Sequence, residues 1–266
     1  MDRCRLKNII VLILGLVNIS LISSLAIRER AEYTARRRTS EQLVALFAAD
    51  GITLDPDIIS TEVPPAGRSL TRNITLDQKA AAFLLGDILS TADRGGGIYT
   101  YSSSAGAALF RSNSTFDVAG TLATDNALDF CRDFCRKFSY SDPIFQLDEN
   151  GNGTATATQL CGKLPVFNCT VDFTFNDGSL IAVSGTLLPE NYTELSSDLS
   201  PLSAAAALTT FQEETFAVIS TVTDIYLCYE LQNPTPSSMT LTPSWCIVTD
   251  TAKYYVNCET GDITTN

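Results

Sequence analysis

The first hydrophobic pattern in this chain is the simplest. From Ile9 to Ile27 it is almost uninterrupted Ile, Leu and Val, with no charge. At about 1.5 Å per residue such a run makes a helix of roughly 28 Å, close to the ~30 Å hydrocarbon thickness of a bilayer. A helix is the form in which such a segment satisfies its own backbone in lipid. The run therefore predicts a single transmembrane helix over 9–27.

Beyond it the pattern becomes that of a folded body. Thr39 and Gln42 have capping-box spacing ahead of Leu43, Leu46 and Phe47 at helical intervals, and Asp50-Gly51 closes the helix. A strand is expected over 68–74. A second helix, opened by Thr75 to Gln78, presents Ala80, Phe83, Leu84 and Ile88 on one face. Short strands follow at 98–101, 107–111 and 115–119. Leu128, Cys131, Cys135 and Phe138 make the stripe of a third helix. Cys169, Val171, Phe173 and Phe175 then alternate with Thr170, Asp172 and Thr174, the period of a half-buried strand. Asn176-Asp177-Gly178 supplies a hairpin turn, and 179–188 returns. Ser200-Pro201 opens a last helix with Leu208 and Phe211 on its buried face. Strands are expected at 223–231, 239–249 and 253–258.

These elements predict an α+β chain: one N-terminal transmembrane helix, then helix-on-antiparallel-sheet modules. The boundaries read as a short tail over 1–8, the span over 9–27 and a basic juxtamembrane segment over 28–38. A first α+β module covers 39–120. A second covers 121–266, its helix-plus-strands pattern repeating near residue 200.

Charge sharpens this picture. Eight of the 18 Lys and Arg flank the apolar run, at positions 3, 5, 7, 28, 30, 36, 37 and 38. After residue 38 the remaining ten face 27 Asp and Glu, so the body carries 10 − 27 = −17. A body of that charge repels nucleic acid, and nucleic-acid binding is excluded as a function. Histidine is absent, which removes Ser/His and Cys/His nucleophile pairs and every His-containing metal site.

Of eight cysteines, seven lie in the body, and no CxxC pair occurs. Most read as small buried apolar residues. Cys161 and Cys169 flank a short loop and are the first candidates for a disulfide. Asp148 to Gly153 matches the start of a calcium loop, but Gln159 stands where the bidentate Glu belongs, so a polar hairpin tip is the preferred reading. Asp250-Thr251-Ala252 faintly resembles an aspartic-protease half-site, yet has no second copy. Asn73, Asn113, Asn152, Asn168 and Asn191 head glycosylation sequons. No catalytic, cofactor or metal residues are assigned.

The rival reading of the first 30 residues is a cleavable signal peptide. Basic residues are more numerous after the run than before it, which by the positive-inside rule favours a cytoplasmic body. Within the run, Gly15, Asn18 and Ile22 share one helical face, and a small residue with an amide is a frequent adhesive between membrane helices. These three are the candidate contacts to a partner's membrane helix.

Several stretches together carry a resemblance. They are the basic tail and single span, Gly51 to Pro56, Leu241 to Thr251, Tyr254 to Asn257, and Thr260-Gly261. In that layout the chain resembles the YycI/YycH-like regulatory proteins of Gram-positive bacteria, with PepSY-like outer modules. The resemblance implies a cell-membrane location, a cytoplasmic N-terminus and an extracytoplasmic body. It also implies association with a WalK-type membrane sensor histidine kinase and a related accessory protein. The family brings no catalytic residue.

The leading expectation is thus a non-enzymatic accessory protein that tunes a two-component kinase through helix and outer-domain contacts. The alternative is an anchored extracellular peptide-binding module, or peptidase inhibitor, that adds a peptide strand to an exposed sheet edge.

Overall fold

The computed structural model describes residues 14, 17, 18, 20–24, 34, 35, 37–123, 125–196, 200–215, 218–235 and 238–265, with backbone only at 233–235 and 238.

Helix α1 runs through 37–49, and Gly51, at φ +76°, closes it where a side chain would be strained. Thr39 does not cap it. Its hydroxyl donates to the Ala35 carbonyl at 3.1 Å, so it sits inside a helix begun earlier. The chain continues through β1 (Thr53–Leu54), a 3-10 turn, β2 (Arg68–Thr71) and α2 (Ile74–Leu85). Asn73 caps α2, accepting from the Thr75 N–H, two residues ahead of the expected start. Strands β3 (Ser90–Asp93), β4 (Tyr99–Ser102), β5 (Gly106–Phe110) and β6 (Thr115–Ala123) follow, then α3 (Ala127–Lys137). Next come β7 (Ile144–Leu147), β8 (Gly153–Cys161), β9 (Leu164–Asn176), β10 (Ser179–Thr186) and β11 (Tyr192–Glu194). Helix α4 (Ala204–Glu214) and strands β12 (Thr221–Thr235), β13 (Ser238–Thr249), β14 (Lys253–Asn257) and β15 (Ile263–Thr265) complete the order.

All fifteen strands join one sheet, whose main path runs β11-β2-β13-β12-β9-β10-β6-β5-β4-β3. It is mixed, because β1 lies parallel to β12 and β12 meets β9 in parallel at Tyr229 and Val166. The expected architecture is therefore corrected. The described chain is mostly β, in one large sheet, rather than a transmembrane helix followed by discrete helix-on-sheet modules. No described helix is long and apolar enough to cross a membrane. The physical reason lies in backbone pairing: an unpaired strand edge leaves donors and acceptors open. Strands at 115–123 meet that need by bonding to β10, and β9 bonds to β8, β10 and β12.

Two cores lie under the helices. Ala80, Leu84, Phe134 and Cys135 of α2 and α3 pack on Tyr101, Phe116, Val171 and Phe173. Leu43, Phe47, Leu208 and Phe211 of α1 and α4 pack on Val222, Trp245, Ile247 and Val256. A smaller cluster of Leu70, Val166, Cys169, Tyr229, Met239 and Leu241 fills the seam between them, and the candidate site lies against this seam.

Candidate functional site

Pro189 ends the β9–β10 hairpin, and the chain then returns along β2. Register pairs Tyr192 with Leu70, Thr193 with Ser69 and Glu194 with Arg68. The three residues of β11 are exposed, and β11 stands at the end of the sheet's main path. Leu195 N–H donates to the Gly67 carbonyl at 2.8 Å, which sets the phase of the ladder. By antiparallel alternation, Thr193 turns its N–H and C=O toward β2, while Tyr192 and Glu194 turn theirs outward. Among the described residues no strand takes up those outward groups.

Each face of this edge has a hollow. On the face of Leu70 and Tyr192, about 260 Å³ opens among Gln159, Cys161, Gly162, Glu190 and Leu241. On the opposite face, about 410 Å³ opens among Ser69, Thr71, Asn73, Asn191 and Thr193. Both follow from the pleat, which sends successive side chains to opposite faces.

Arg68 holds the edge in place. Its guanidinium lies 3.9 Å from the centre of the Tyr192 ring and 5.2 Å from that of Tyr229. Its Nη1 donates to Cys161 Sγ at 2.9 Å. One cation thus ties together β2, β11, β12 and the end of β8. Its Nε is buried without a hydrogen-bond partner among the described residues, while Nη1 and the guanidinium face reach Cys161 and the two rings.

The cysteines divide by environment. Cys131, Cys135, Cys169, Cys228, Cys246 and Cys258 are buried, and Cys161 is half-buried; all seven are free thiols. The expected Cys161–Cys169 bridge is therefore not made. Burial pushes the thiols of Cys131, Cys135 and Cys258 up to about 12 and raises those of Cys169, Cys228 and Cys246 as well. Iodoacetamide should accordingly modify Cys161 before these six in the native protein, as read by peptide mass spectrometry. Faster labelling of any of the six would contradict the described burial.

Other residues singled out in the sequence have local structural roles. Asp148 accepts from the backbone N–H groups of Asn150 and Asn152, and its carboxyl is held below the usual range chiefly by Asn152. Asp250 accepts from the N–H groups of Ser220 and Thr221 and pins the start of β12. Asn168 bonds both the N–H and the carbonyl of Leu231, bridging β9 to β12.

Of the expected membrane-helix contacts, Gly15 lies outside the described residues. Asn18 and Ile22 are helical and exposed, and the Asn18 amide donates to the Leu14 carbonyl at 3.0 Å within its own helix. Sequence reasoning missed β11, since three exposed residues show no alternation. The signal available was Pro189, which forces the chain off β10.

No family model matches the chain, and no curated protein matches it. Among solved structures it is similar to an uncharacterized protein from Eubacterium rectale, at 13% identity and a TM-score of 0.43, over 77% of this chain and 81% of that one. It is also similar to the Bacillus megaterium YpeB C-terminal domain, at 11% identity and a TM-score of 0.35, over 74% of this chain and 98% of that domain. Membership of the YycI/YycH group is not supported by these matches.

Proposed function

We propose that this protein is a binding module that receives an extended polypeptide segment by strand addition at β11. One observation carries the reading: a terminal strand with two outward-facing residues and a hollow on each of its faces. In this mode main-chain hydrogen bonds to an open edge supply affinity, and pockets for alternate side chains supply specificity. Tyr192 and Glu194 offer two N–H and two C=O groups to the incoming strand. Its side chains then enter the Cys161–Glu190 hollow and the Ser69–Asn191 hollow in turn. The edge supports this binding reading, whereas regulation of a sensor kinase is suggested by the resemblance alone.

The test is Glu194→Pro. Proline removes the outward N–H of residue 194 and leaves the inward bonds of Thr193 and Leu195 to β2 intact. Affinity for an extended test peptide, measured by fluorescence anisotropy, is expected to fall about fivefold, the order of one lost main-chain hydrogen bond. The melting temperature should hardly move. Unchanged peptide affinity in a folded Glu194→Pro variant rules out strand addition at this edge.

A further inference from the structure

We infer that the segment received at β11 is basic. The inference rests on the strand-addition reading and names its occupant: an extended peptide with Lys or Arg at alternate positions. Period-two alternation puts Tyr192 and Glu194 on one face of the edge; Glu190, in the bend before the strand, lines the same hollow as Tyr192, and all three are exposed. A strand laid beside β11 sets its own side chains on that face about 5 Å from theirs.

The charge on this face is unbalanced. Arg68, the cation nearest to it, is turned inward onto Tyr192, Tyr229 and Cys161. Glu194 stands opposite Arg68 in the register, yet the two form no ion pair among the described residues. Tyr192 is 43% exposed, so ring surface remains outside its contact with Arg68. A lysine or arginine stem can lie along that ring while its head group reaches Glu190 or Glu194. The body's −17 (10 − 27 after residue 38) attracts such a segment from a distance.

The experiment compares three labelled ten-residue peptides by fluorescence anisotropy on the full chain. Valine alternates with lysine in one, with threonine in the second and with glutamate in the third. The lysine peptide is expected to bind about tenfold more tightly than the threonine peptide, with an advantage that shrinks as salt rises. The double variant Glu190→Gln/Glu194→Gln should bring it down to the threonine peptide's affinity. Glu213→Gln/Glu214→Gln, at the exposed end of α4, should leave it unchanged. Equal binding of all three peptides overturns the basic occupant while leaving strand addition standing. Binding of none overturns both. Loss of lysine-peptide affinity at Glu213/Glu214 but not at Glu190/Glu194 places the basic site elsewhere and overturns this one.

Discussion

Replacing Arg72 by methionine is expected to remove about 3–5 kcal/mol of stability, a large part of the ~5–15 kcal/mol that holds a domain folded. Arg72 follows β2, and Asp77 lies in the first turn of α2. The guanidinium reaches Asp77 Oδ2 through Nε at 3.1 Å and Nη2 at 2.7 Å. Nη1 donates to the carbonyl of Gly97, so one side chain ties a strand, a helix and the turn before β4. Asp77 is only 3% exposed. Methionine fills much of the same space but leaves the carboxylate buried without its counter-ion, which is the costly way to break such a pair.

The pH dependence gives an independent check. Burial pushes the Asp77 carboxyl above its usual range, while Arg72 pulls it down. A carboxyl raised in the folded state contributes stability that is present at low pH and lost as pH rises through the folded value. Without Arg72 the pull is gone, the folded value rises further, and the loss extends to higher pH. Urea unfolding at pH 5 and pH 7 should therefore show the Arg72→Met deficit narrowing at pH 5. The double variant Arg72→Met/Asp77→Leu should recover most of the loss. A single-variant deficit under about 1 kcal/mol at pH 7 would mean the pair is solvated and the packing described here is wrong.

How far the sequence discloses this fold depends on whether the deciding contacts are local. The β9–β10 hairpin was legible because Val171, Phe173 and Phe175 are buried while the residues between them are not. Its turn was legible because Asp177 and Gly178 take positive φ, which Asp tolerates and Gly favours. In α3 the Cys131 and Cys135 stripe is buried, but Leu128, assigned to it, is 39% exposed. Strand β8 was missed although its Thr-Ala-Thr-Ala-Thr run has period two. Ala155 and Ala157 face the core, but so small a side chain gives a weak apolar signal. Strands β3 and β11 are short and exposed throughout, so only their partners β4 and β2 specify them.

The class assignment failed for a related reason. Periodicity along the chain predicts strands at 115–119 and 179–188, but the pairing of β6 with β10 is set by distant backbone groups. The candidate site is less legible still. Arg68 and Cys161 meet across 93 residues, and neither carries a pattern that points to the other.

Truncating Phe134 to alanine should cost about 3–5 kcal/mol, and Phe134→Leu clearly less. Phe134 is 0% exposed and sits where α3 meets both α2 and the sheet. Its ring lies 4.7 Å from Phe138, 5.7 Å from Phe83, 5.8 Å from Phe173, 5.9 Å from Tyr140 and 6.4 Å from Phe116, centroid to centroid. Three of these partners come from other elements, Phe83 on α2, Phe116 on β6 and Phe173 on β9. The surrounding side chains therefore have little freedom to collapse into the space left behind, which places the cost toward the upper part of the range for aromatic truncation. The same reasoning separates this core from the one under α4. Phe134→Ala removes contacts of α2 and α3 with β6 and β9 and should leave the environment of Trp245, buried beneath α4, unchanged in the native state. Chemical unfolding followed by tryptophan fluorescence reads both quantities at once, since this chain has one Trp. The native emission maximum should stay in place while the midpoint falls. A midpoint within about 1 kcal/mol of the parent protein, by the same linear extrapolation, would show that the aromatic cluster does not bear the packing ascribed to it.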